Sequence, residues 1–171
     1  MMKRNQPLLR NLLKTRLLKF GILCLWSCMV NHQLYAQNIE IITFKNLQQL
    51  LFNQSDTTYV VNFMSSWCKP CIKELPEFIK LTNDTKHKKI KVLFVSLDVK
   101  KNMNESIKPI ATKFKINPIY LLDESNPNNW IDKLDKNWNG EIPTTFIIKK
   151  GKIKNKIIGG ISYHQLIKIL K

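Results

Sequence analysis

Cys68 and Cys71 are separated by two residues and stand where a β-branched, aromatic run, Thr58–Met64, gives way to a helical pattern. A thiol at the start of a helix faces unpaired backbone N–H groups and the positive end of the helix dipole, and both favour thiolate over thiol. The second thiol lies one turn further on, within reach of the first. Such a pair can exchange with a disulfide: Cys68 attacks a sulfur of the substrate, Cys71 attacks Cys68 in the mixed disulfide, and an internal bridge is left beside a reduced substrate. Run backwards, the same steps oxidise a dithiol. Pro70 has no N–H to lose in the first helical turn, and with Lys69 it fixes the short ring and adjusts its redox balance.

Other chemistries fit these residues less well. A C-x-x-C pair is half of a common zinc site, but the second half is missing, because His32 belongs to the N-terminal segment and His87 and His164 stand alone on polar stretches. No metal and no cofactor beyond the cysteine pair is therefore expected. A bridge closing four residues constrains little of the unfolded chain, so stability alone is a poor reason for it.

The elements that must position the pair are those of one ordinary domain with a short N-terminal appendage. The chain has 171 residues, 44% of them hydrophobic, with 28 Lys+Arg against 12 Asp+Glu. No apolar run approaches the roughly 18 to 20 residues of a spanning helix, and four cysteines are too few for a disulfide scaffold. After Arg16 every cation is Lys, in turn-like runs such as Lys86-His87-Lys88-Lys89 and Lys149-Lys150-Gly151-Lys152. This is a Lys-coated surface rather than a nucleic-acid site, which would draw on Arg forks or interleaved aromatics.

Residues 1–36 contain six cations, Lys3, Arg4, Arg10, Lys14, Arg16 and Lys19, and no acid. They run into the apolar core Phe20–Val30 and end at Leu34-Tyr35-Ala36, the layout of a secretory signal peptide cleaved after Ala36. Lipidation at Cys28 and an uncleaved membrane anchor are the less favoured alternatives. The remainder, 37–171, is then expected on the periplasmic or extracytoplasmic side, with Cys24 and Cys28 spent in the targeting segment.

Strand-like and helix-like segments alternate through 37–171, which argues for an α/β domain with a central sheet. Strands are expected at Ile39–Phe44, Thr58–Met64, Ile90–Leu97, Ile119–Leu122, Thr144–Ile148 and Ile153–Ile158. Helical periodicity marks Leu47–Leu51, Cys68–Asn83 with Pro76 interrupting its ladder, and Asn104–Lys115. A loop with a short helix fills Ser125–Trp138. The last helix opens at Ser162, with Gln165 completing a capping box.

The run Val60-Val61-Asn62-Phe63-Met64-Ser65-Ser66-Trp67-Cys68-Lys69-Pro70-Cys71-Ile72-Lys73-Glu74-Leu75-Pro76 resembles the active-site segment of thioredoxin-fold proteins, in particular the TlpA/ResA/DsbE branch of secreted thiol-disulfide oxidoreductases. Trp138-Asn139-Gly140-Glu141-Ile142-Pro143-Thr144-Thr145-Phe146 resembles the cis-proline loop and following strand of the same family. The similarity extends over nearly all of 38–171.

The resemblance implies a mixed sheet flanked by helices, with Asn102–Leu122 supplying an extra helix and strand between the cysteine helix and the cis-proline loop. It implies a cis peptide at Ile142–Pro143, leaving Ile142 backbone groups to pair with an extended substrate and keeping metal from the thiols. Asn62 stands where cytoplasmic thioredoxins carry a buried Asp, so that route of proton transfer is absent. Glu74 matches the branch's active-site glutamate, placed to tune the thiols or shuttle a proton, against the alternative of a solvated helix acid. Trp67 is expected to pack beside the site as part of the substrate surface, and Trp138 to anchor the loop.

The implied activity is the reduction of protein disulfides through Cys68 and Cys71, with protein disulfides or dithiols as partners and an upstream electron donor such as a membrane thiol transporter. The alternatives are a disulfide-donating oxidase using the same site, or a non-enzymatic binding or copper-handling module. Copper-delivery relatives use C-x-x-x-C with a distant His, a spacing one residue longer. A thiol peroxidase is disfavoured, because neither cysteine sits in the P-x-x-x-[ST]-x-x-C setting.

Overall fold

Thr58–Met64 forms β2, whose last six residues are all buried, as a strand covered on both faces requires. In the computed structural model, which describes residues 38–84, 86 and 89–171, it lies inside a six-stranded mixed sheet. The remaining strands are β1 (Ile39–Ile42), β3 (Ile90–Ser96), β4 (Ile119–Leu122), β5 (Thr144–Lys149) and β6 (Lys152–Ile158). Their order is β1-β4-β3-β2-β5-β6, with the first four mutually parallel, β5 antiparallel to β2, and β6 antiparallel to β5. The helices are α1 (Phe44–Leu51), α2 (Lys69–Asn83), α3 (Met103–Phe114), the single turn α4 (Ile131–Leu134) and α5 (Tyr163–Leu170). Residues 1–36, the expected signal segment with Cys24, Cys28 and His32, lie outside the described residues, as does His87.

The alternation of β2 divides the core in two. Tyr59, Val61 and Phe63 point into one layer with Phe44 and Leu47 of α1, Trp130, Trp138 and Phe146. Val60 and Met64 point into the other with Leu75 and Phe78 of α2, Ile107 of α3 and Leu166 of α5. Asn62 shares this second face, so its amide is directed at α2 rather than at the aromatic layer. Both layers are closely filled with large apolar side chains, which hold the end of β2 in place.

Two local differences from the sequence pattern have clear causes. Phe44 begins α1 instead of ending β1, because the Thr43 hydroxyl accepts the Asn46 N–H at 3.3 Å and caps the helix there. Pro76 lies inside α2 without dividing it, so the helix spans Lys69 to Asn83 as one element. The extra helix and strand are α3 and β4, and β4 is taken into the sheet between β1 and β3. Lys150 and Gly151 both have positive φ, as a two-residue hairpin between β5 and β6 demands. A side chain at Gly151 would also meet the Phe52 carbonyl at 2.8 Å.

Candidate active site

Parallel β2 and β3 end at one edge of the sheet, and the crevice outside the carboxyl ends of strands is where α/β folds place their chemistry. The chain leaves β2 through Ser65-Ser66-Trp67 and enters α2 at Cys68. Cys68 is the N-cap: its backbone is extended, and its sulfur accepts the Cys71 N–H at 3.3 Å. The two cysteines are joined in a disulfide with their Cα atoms 5.2 Å apart. Cys71 is fully buried, whereas Cys68 retains 5% exposure. Lys69 and Pro70, between them, are exposed.

Glu74 follows Cys71 by one turn of α2 and is buried, with only 4% exposure; it is not a solvated helix acid. Its carboxylate accepts the Asn62 amide N–H at 2.7 Å and the Ile161 backbone N–H at 3.0 Å. Asn62 donates also to the Thr145 hydroxyl at 3.3 Å, which ties α2 to β2, β5 and the turn before α5. Burial raises the Glu74 carboxyl above the usual glutamate range, and the bonds from Asn62 and Ile161 oppose the rise without cancelling it. The side-chain oxygen Oδ1 of Asn62 has no hydrogen-bond partner among the described residues although it is buried.

Antiparallel pairing of Phe63 with Thr144 brings the loop before β5 to the end of β2. In that loop Ile142–Pro143 is a cis peptide, and Pro143 is buried beside half-buried Ile142. Neither the N–H nor the carbonyl of Ile142 is hydrogen-bonded to another described residue, while the Pro143 carbonyl accepts the Gly159 N–H at 2.8 Å. Trp138 supports the loop from below: its ring is buried against Phe63, Trp130 and Phe146, and its Nε1 donates to the Glu141 carbonyl and the Thr144 hydroxyl. Lys156 of β6, paired with Asp135 at 2.9 Å, holds the preceding turn and keeps the Asp135 carboxyl below the usual range.

Trp67 is 70% exposed, while Cys68 next to it in the chain is buried. Sequence reasoning passed over Asp98 and Ser66. The Asp98 carboxylate, just beyond β3, accepts both the N–H and the hydroxyl of Ser66. The serine and acid of Ser96-Leu97-Asp98, at the close of an apolar strand, are the only signal the sequence offered. A second cis peptide, Asn117–Pro118, enters β4 and was not anticipated either. Among the described residues no group of three or more His, Cys, Asp or Glu side chains is arranged to hold a metal, and no helix is long and apolar enough to cross a membrane.

A mixed sheet flanked by helices, a C-x-x-C bridge at the first turn of the helix after β2, and a cis-proline loop beside it define a thioredoxin-like fold. The structure of StoA from Bacillus subtilis superposes with a TM-score of 0.55 at 24% identity, over 68% of this chain and 84% of that one. The chain belongs to the AhpC/TSA family, whose sequence pattern matches residues 33–156. Among its relatives, the thiol-disulfide oxidoreductase ResA of Bacillus cereus is 29% identical over 108 residues, covering 62% of this chain and 57% of that protein. The sporulation thiol-disulfide oxidoreductase A of Bacillus subtilis is 28% identical over 109 residues, covering 63% and 62%. The match thus spans less than two thirds of the length of these relatives. Within the family the peroxidase setting remains incomplete here: Ser65 stands three residues before Cys68, but Val61 occupies the proline position.

Proposed function

We propose that this protein is an extracytoplasmic thiol-disulfide oxidoreductase that reduces disulfides in protein substrates through Cys68 and Cys71. The observation that carries the reading is the bridge itself, held at the N-terminus of α2 with the Cys68 sulfur accepting the Cys71 N–H and Cys68 the more accessible of the two. In the reduced protein the same N–H and the helix dipole favour a Cys68 thiolate, the attacking species.

The Cys68 thiolate attacks one sulfur of the substrate disulfide; the substrate S–S bond breaks and its other sulfur leaves as a thiolate. Cys71 then gives up its proton and attacks Cys68 in the mixed disulfide, releasing the second substrate sulfur and closing the internal bridge. Two electrons pass to the substrate, and an upstream dithiol donor, such as a membrane thiol transporter, returns them. Glu74, one turn from Cys71, is the group proposed to take up and return the resolving proton, its raised affinity for a proton suiting that task. The unpaired Ile142 backbone beside Pro143 is free to bond an extended substrate segment, and exposed Trp67 offers that substrate an apolar contact. Lys69 and Pro70 set the ring between the cysteines. No cofactor beyond the cysteine pair is required, and the leader 1–36 carries the domain out of the cytoplasm.

The test is reduction of insulin disulfides by the full chain with dithiothreitol as donor. The wild type is expected to accelerate the reaction and Cys68→Ser to do no better than buffer; a wild type no faster than Cys68→Ser overturns the reading.

A further inference from the structure

Asp98 is a buried carboxylate, and an ionisable group out of water is tolerated only where hydrogen bonds replace its hydration. Its oxygens accept from three donors, the Ser66 N–H at 2.8 Å, the Ser66 hydroxyl and the Ser96 hydroxyl at 2.8 Å, and its own N–H donates to Ser96 Oγ at 3.1 Å. No cation is ion-paired with it among the described residues. Two of the three donors therefore come from one residue 32 positions upstream, in the turn that delivers Cys68.

That turn has few other restraints. The Ser65 carbonyl accepts the Cys68 N–H at 3.2 Å, and the Ser65 hydroxyl is buried without a partner. Trp67 is largely exposed to solvent. The Leu97 N–H donates to the Met64 carbonyl at 2.9 Å, so the end of β3 grips the end of β2 and then, through Asp98, the residue two before Cys68. Ser96 fixes the Asp98 rotamer from behind.

From this arrangement we propose that Asp98 is a positioning residue for thiol-disulfide exchange: through its double acceptance from Ser66 it sets the Ser65–Trp67 turn and hence the direction in which the Cys68 sulfur is presented. The proposal rests on the oxidoreductase reading above. Exchange requires the attacking sulfur to approach along the S–S axis of its target, so an error of a fraction of an ångström at Cys68 is felt in the rate rather than in binding. What the turn requires of residue 98 is acceptors in the right places. An asparagine can supply them, its carbonyl oxygen taking the Ser66 N–H and Ser96 hydroxyl while its amide donates to a reoriented Ser66 hydroxyl.

The experiment compares full-chain wild type, Asp98→Ala, Asp98→Asn and Ser66→Ala in insulin reduction, with thermal melting alongside. Asp98→Ala is expected to lower kcat about tenfold with KM within about twofold, Asp98→Asn to restore kcat to within about twofold of wild type, and Ser66→Ala, which keeps the backbone bond, to fall between. Asp98→Ala melting earlier with kcat unchanged would show a purely structural role and overturn the proposal; so would Asp98→Asn as slow as Asp98→Ala. If Asp98→Ala does not fold, Ser66→Ala decides, an unchanged kcat counting against. A wild type that fails to outpace Cys68→Ser instead defeats the oxidoreductase reading itself, which separates the two failures.

Discussion

The side-chain amide of Asn62 donates to the Glu74 carboxylate over 2.7 Å, linking the middle strand of the sheet to the cysteine helix one turn beyond Cys71. The position that would hold a second acid thus holds a neutral donor.

This pairing has a pH signature. Burial makes Glu74 hold its proton more tightly in the folded chain than in the unfolded one, so the folded state binds more protons between the two pKa values. Stability accordingly falls as pH rises from the ordinary glutamate range through the raised folded value, and levels off above it. Denaturant melts across mildly acidic to neutral pH should show this fall in the wild type and lose that part of it in Glu74→Gln.

Removing Asn62 removes the chief bond that holds the Glu74 charge. Asn62→Ala should raise the Glu74 pKa further and cost about 1 to 3 kcal/mol of stability, because it leaves a buried acceptor with one partner fewer. The loss should be larger at neutral than at acidic pH, where a protonated Glu74 has less need of the donor.

Trp138 is buried in an aromatic cluster and hydrogen-bonds the loop that carries Pro143. Trp138→Ala is expected to cost about 3 to 5 kcal/mol in chemical denaturation. Trp138→Phe should recover much of the packing but not the two Nε1 bonds, and so separate the ring from its polar handle.

Trp67 should behave in the opposite way. Because its ring is solvent-exposed, Trp67→Ala should change stability by no more than about 0.5 kcal/mol. If the ring meets protein substrates, KM for insulin rises several-fold while the rate with a small aromatic disulfide reporter stays the same.

Much of this was legible in the residues because it is local. The β-branched run of β2, the 3.6 period of α2, the Lys150-Gly151 turn and the Ser162–Gln165 capping box are each written within a few positions, and the structure has all four. What was not legible joins distant parts of the chain. For Glu74 the sequence leaves an active-site acid and a solvated helix acid both open until Ile161 and Asn62, 87 and 12 residues away, close around it. Asp98 reads as a loop acid until Ser66 is brought to it by strand pairing, 32 residues off.

The reduction potential of the Cys68–Cys71 pair in the full chain, by equilibration with dithiothreitol or glutathione buffers and with Cys68→Ser as the silent control, tests the central claim most directly. A protein-disulfide reductase should poise near the thioredoxin end of the scale, roughly −270 mV. A value near roughly −120 mV, that of the strong oxidant DsbA, would contradict the account and make the same two cysteines a source of disulfides.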